Sequence, residues 1–138
     1  MHKIKTVLDT NIFVSSFFGG NPGKVVESWK DEKIILCITQ SVLDEYIRVL
    51  AEFKNLDIQE QIRQLLDLFA TGYEIEFILP RHEIRTVSDP SDDKFIECAV
   101  SAGAQYIISG VKALLKIRKY QNISILSPAL FLQVVKKY

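Results

Sequence analysis

The chain has 138 residues, the length of one domain, and 48% of them are hydrophobic, enough for one substantial core. Its 17 acids balance 17 bases, so the formal net charge is zero. That excludes a protein held to nucleic acid mainly by global positive charge, while leaving room for a local basic surface beside an acidic site.

In chain order, Ile4–Leu8 reads as a strand and 12–18 as a short helix. The turn GGNPGK follows, with Asn21 as cap and Pro22 at the first helical position of a helix reaching about Lys30. Ile34–Ile38 (IILCI) is a continuous apolar run of strand length. Ser41 then caps a helix to about Phe53, with Asp44 as a capping-box-like partner. Residues 57–71 carry Ile58, Ile62, Leu65, Leu66 and Phe69 at helical spacing, and Gly72 ends that helix. Residues 73–79 (YEIEFIL) alternate like a strand. A loop over 81–91 leads to a helix over 92–102, stopped by Gly103. Residues 106–109 and Ile123–Leu126 are short apolar strands, and Ser127-Pro128 opens the last helix. Short apolar strands alternating with helices imply βαβ units. The expected fold is one α/β domain over 1–138, a three-layer α/β/α sandwich with a mainly parallel sheet; its strand order is not readable.

Cys37 and Cys98 lack metal or CxxC spacing and sit in apolar runs, as buried free thiols of a reducing compartment do. No apolar run reaches the ~18 residues that span a bilayer, and MHKIKTVLD meets an acid too early for a signal peptide. The expectation is a soluble, cytoplasmic protein without a membrane partner. GGNPGK fails as a phosphate loop because Val25 follows Gly23-Lys24. His2 and His82 are isolated, and Trp29 ends an apolar helix face, as a core residue does.

The acids carry the chemistry. Asp9 falls just past the first strand, where open α/β sheets bind ligands; a functional carboxylate and a cap for the next helix are both open readings. Glu45, in SVLDEYIRVL, borders the apolar stripe of Val42, Tyr46, Val49 and Phe53, so it is either a ligand reaching over the core's edge or a boundary acid paired with a base. In SDPSDDKFIECAVSAGA, Asp89, Asp92 and Asp93 crowd a helix start, more than capping requires. Asp92 shares a face with Phe95, Ile96 and Ala99 and is expected to point toward the sheet, with Asp93 turned further around. Carboxylates without helping His or Cys suit a hard cation, Mg²⁺ or Mn²⁺. In VKALLKIRKYQN, Lys112, Lys116, Arg118 and Lys119 near Tyr120 form either an RNA phosphate grip or a solvated helix end.

Four segments, VLDTNIFVSSFF, SVLDEYIRVL, DPSDDKFIECAVSAGAQYIISG and ILSPALFL, together resemble the PIN-domain family, in particular the toxin components of toxin–antitoxin systems. The resemblance covers nearly the whole chain. It implies an α/β/α fold and an Mg²⁺- or Mn²⁺-dependent endoribonuclease acting on single-stranded RNA. It assigns Asp9, Glu45 and Asp92 as catalytic metal-binding acids and Asp93 as an auxiliary ligand. Asn11 and Ser109 take the places of polar residues that orient the acids. A cognate antitoxin protein and a homodimer or higher homo-oligomer are the partners it implies besides RNA. The chain departs from the family where relatives carry a Gly-Asp-Lys-Asp-Leu-Leu type segment. Here SGVKALLK puts Val111 at the expected acid and Ala113 at the next. The alternative is therefore a catalytically degenerate PIN fold that binds RNA or a protein partner without cleavage.

Overall fold

The computed structural model describes residues 3–81 and 90–138, so His2, His82 and Asp89 lie outside the described residues. The elements are β1 (Ile4–Leu8), α1 (Thr10–Ser16), α2 (Gly20–Lys30), β2 (Ile34–Ile38), α3 (Gln40–Ala51), a 3-10 turn (Leu56–Ile58), α4 (Gln59–Thr71), β3 (Ile75–Phe77), α5 (Pro90–Ala102), β4 (Tyr106–Ile108), α6 (Lys112–Ile117), β5 (Lys119–Tyr120), β6 (Ile123–Leu126) and α7 (Pro128–Val135). No helix among the described residues is long and apolar enough to cross a membrane.

The strands lie in the order β3-β2-β1-β4-β6-β5, parallel except for β5. β2 (IILCI) is a continuous apolar run, and β1 (IKTVL) is buried at every position but Lys5, as in a sheet with helices on both faces. The chain steps from β1 to β2 to β3 in one direction, then returns to β4 and continues to β6 in the other. Right-handed crossovers put the connecting helices of the two halves on opposite faces, which makes the three layers. α2 packs on β2 and α7, whereas α5 packs on β1, β2 and β4. Leu8 is level with Ile108, and Ile108 with Leu126, so three strands end together. The strand order reverses between β1 and β4, and a crevice opens at the carboxyl ends of strands at such a point.

An aromatic cluster ties the first four helices together. Phe13 of α1 makes edge contacts with Trp29 of α2 (ring centroids 5.8 Å apart), Tyr46 of α3 (4.9 Å) and Phe69 of α4 (5.4 Å). Trp29 is fully buried, as expected, and its indole N–H donates to the Tyr73 carbonyl at 3.1 Å. Cys37 and Cys98 are buried free thiols.

Two caps differ from the expected ones. Thr39, not Ser41, caps α3: its extended backbone ends β2 and its hydroxyl accepts from the Val42 amide at 3.3 Å. Asp44 accepts from the Gln40 side chain at 2.8 Å instead of closing a capping box. α2 begins at Gly20, capped by Gly19 at φ 83°, so Pro22 sits inside the first turn and Asn21 is not the cap. Ser127 caps α7 and Pro128 opens it, as expected. The short antiparallel edge strand β5 was not anticipated; a two-residue strand leaves almost no periodicity to read.

Candidate active site

Asp9 stands at the switch point. Its amide donates to the Ile108 carbonyl at 3.0 Å, extending the β1–β4 ladder by one residue. Of the two open readings of Asp9, the cap is seen directly. One carboxylate oxygen caps α1 through the Asn11 amide, a long contact of 3.4 Å, and the other accepts from the Ser109 hydroxyl at 2.7 Å. Ser109, just past β4, is fixed in turn by the Val111 amide, which donates to its Oγ at 2.9 Å. Asp9 is 3% exposed. Burial pushes its carboxyl above the ordinary range; the Ser109 hydroxyl and Asn11 amide oppose this, and the Glu45 charge adds to it.

Glu45 is placed by its neighbour. The buried Tyr46 hydroxyl donates to the Leu8 carbonyl, pinning α3 to the end of β1. Burial raises the Tyr46 pKa well above its usual value, so the hydroxyl stays a donor. Glu45 then lies over the sheet's edge, where one carboxylate oxygen accepts from the Thr10 hydroxyl. The other accepts from the Lys94 ammonium of α5 at 2.8 Å. Glu45 and Lys94 side chains are 12% and 24% exposed, so this pair is largely enclosed. Thr10 bridges the two acids in space, because it follows Asp9 and holds Glu45.

On α5, Asp93 is buried and Asp92 half-buried, the reverse of the expected order. α5 packs against α3 as well as the sheet, so its enclosed face is wider than the Phe95–Ala99 stripe and takes in the Asp93–Ile96 row. Asn11 meets Asp9 through its backbone amide, while its side chain is on the exposed side of α1. Lys112 opens α6 directly after the Ser109 turn, and Lys116, Arg118 and Lys119 run on from it toward β5; all four are exposed.

The donor set is all oxygen, the type a hard divalent cation prefers. Yet among the described residues no three His, Cys, Asp or Glu side chains gather closely enough to hold an ion. Glu45 is turned to Thr10 and Lys94, and Asp9 to Ser109 and Asn11. The acids fit a metal in chemical type, but Asp9, Glu45 and Asp92 do not close around one point in this arrangement. Thr10, Tyr46 and Lys94 were not anticipated as site residues. The only signals for them were polar groups beside the acids: Thr10 after Asp9, the Tyr46 hydroxyl in an apolar stripe, Lys94 after Asp93.

The family profile of the PIN domain matches residues 5–113, and the chain belongs to the PIN-domain family. It is 34% identical over 130 residues to the uncharacterized protein MJ1680 of Methanocaldococcus jannaschii, covering 88% of this chain and 82% of that one. Its fold is similar to that of VapBC2 from Rickettsia felis, solved bound to a DNA fragment from its promoter. There the TM-score is 0.58 at 17% identity, over 90% of this chain and 98% of that one. It is also similar to PAE2754 from Pyrobaculum aerophilum, with a TM-score of 0.63 at 14% identity, over 98% and 91% of the two chains.

Proposed function

We propose that the chain is a metal-dependent endoribonuclease acting on single-stranded RNA, the toxin of a cytoplasmic toxin–antitoxin pair, working as a homodimer or higher homo-oligomer. The observation that carries the reading is the enclosed Asp9 carboxylate at the β1–β4 switch point, braced by Ser109, with Glu45 held beside it through Thr10. Asp9, Glu45 and Asp92, with Asp93 in support, would hold Mg²⁺ or Mn²⁺. Such a cation supplies a water of lowered pKa and neutralises charge on a phosphodiester. Ser109 and the Asn11 amide hold the Asp9 carboxylate, and Tyr46 holds α3 to the end of β1, so that both acids would face the crevice. Lys112, at the rim, would meet the RNA backbone. An antitoxin of matching chemistry would cover the acids with an Arg or Lys.

Val111 favours a second reading, the degenerate fold that binds RNA or a partner without cutting. It stands where an acid is expected, and its amide still serves Ser109. One experiment separates the two. Single-stranded RNA is incubated with Mn²⁺ and wild type, Asp9→Asn or Val111→Asp. The nuclease reading expects cleavage by wild type, its loss with a chelator, and a drop on the order of 10²-fold or more for Asp9→Asn. Cleavage by Val111→Asp alone would establish the degenerate reading. Equal cleavage by wild type and Asp9→Asn would refute the site.

A further inference from the structure

The Glu45–Lys94 pair joins α3 to α5. Its 2.8 Å contact is of charge-assisted length, and both side chains are mostly withdrawn from water. A carboxylate so enclosed needs a compensating positive charge, and removing that charge leaves it costly. Lys94 supplies it in the chain without a metal. Both Glu45 oxygens are thereby engaged, one with Lys94 and the other with Thr10.

We propose that Lys94 is a built-in counter-cation that competes with the divalent cation for Glu45, and so sets the cation affinity of the site. This rests on the metal-site reading above. A cation entering beside Asp9 must draw Glu45 away from the Lys94 ammonium. The flexible, unbranched Lys94 stem lets the ammonium swing out into the crevice mouth, where it adds a positive charge facing an incoming phosphate. Lys94 is then a positioning residue: it holds Glu45 ready and is exchanged for the metal.

The test measures Mn²⁺ binding by calorimetry and the thermal midpoint with and without Mn²⁺, for wild type, Lys94→Met, Lys94→Gln and Lys94→Arg. Lys94→Met and Lys94→Gln should bind Mn²⁺ about tenfold more tightly, the scale of one lost charge-assisted hydrogen bond. Their midpoints should fall without Mn²⁺ and rise more than the wild type's when it is added. Lys94→Arg, which keeps the charge, should return both readouts toward wild type. An ion pair with only a structural role lowers the midpoint equally with and without Mn²⁺, and that result, or unchanged or weaker Mn²⁺ binding in the neutral variants, overturns the inference alone. Absence of Mn²⁺ binding in every chain overturns the metal-site reading and the inference together. The neutral pair of variants guards against one of them failing to fold.

Discussion

Asp9 is held between two opposed demands. Burial favours its protonated form, while two hydrogen-bond donors favour the carboxylate, and burial is the larger effect. The consequence for stability has a definite sign. Its folded pKa lies above its unfolded one, so on raising the pH the unfolded chain ionises first, and stability is lost from about the ordinary carboxylate pKa up through the folded value. Above that window the ionised Asp9 is a standing penalty for the metal-free fold. Asp9→Asn removes the ionisation. Urea unfolding in chelator should therefore show the stability of Asp9→Asn relative to wild type improving as pH rises through this window and levelling off above it. A difference that stays constant across the range would mean that Asp9 is not perturbed. Ser109→Ala acts in the other sense. It takes a donor from the Asp9 carboxylate and an acceptor from the Val111 amide, and should cost about 1–3 kcal/mol at neutral pH. At this scale Asp9 was legible because an acid interrupts an apolar run at a strand's end. Lys94 was not, because a lysine on a helix looks the same in sequence whether it faces water or an acid from another helix.

At the scale of elements, α3 is the piece whose seating decides the site, since it carries Glu45 and Tyr46. Its start is fixed by Thr39, which is 1% exposed and caps it, whereas Ser41 lies one residue inside the helix and is exposed. Thr39→Ala should cost about 1 kcal/mol, while Ser41→Ala should be nearly neutral, as read from denaturant midpoints. The reverse ranking would restore Ser41 as the cap. Strands β1, β2 and β6 were readable to the residue, because each is a short, mostly apolar run bounded by polar or charged residues. Caps were less readable: Thr39 and Ser41 are both good cap residues two positions apart, and only the end of β2 decides between them. The other support of α3 is the Phe13 ring, which touches Trp29, Tyr46 and Phe69 at once. Phe13→Ala should cost about 3–5 kcal/mol, a large share of the ~5–15 kcal/mol of a typical domain. Calorimetry that found a loss under about 1 kcal/mol would show that the four helices do not depend on this ring.

Across the whole molecule, zero net charge sets how RNA would be met on the ribonuclease reading. With no global attraction, binding relies on local cations, and what matters is their distance from the crevice. The basic stretch after β4 is not uniform in this respect. Lys112 opens α6 at the turn that holds Ser109, but Lys119 lies in β5, three strands from β1. At ~4.8 Å per strand that is ~14 Å of lateral displacement, beyond the screening length of ~8 Å at physiological salt. This distinction was out of reach in the sequence, where the four cations sit within eight positions of one another; it needed the strand order and the turn into β5. If single-stranded RNA enters over the β1–β4 crevice, Lys112 neutralises a phosphate there, and Lys119 does so only for a strand long enough to cross the sheet. Binding of a labelled single-stranded RNA, followed in chelator so that no cleavage intervenes, should weaken with salt. Lys112→Ala should reduce the slope of log affinity against log salt by about 0.7, the value of one phosphate contact on a single strand. Lys119→Ala should leave the slope unchanged for a short RNA of four to five nucleotides and reduce it only for longer ones. Equal reductions for both variants on the short RNA would place the binding path along α6 and β5 and away from the acids.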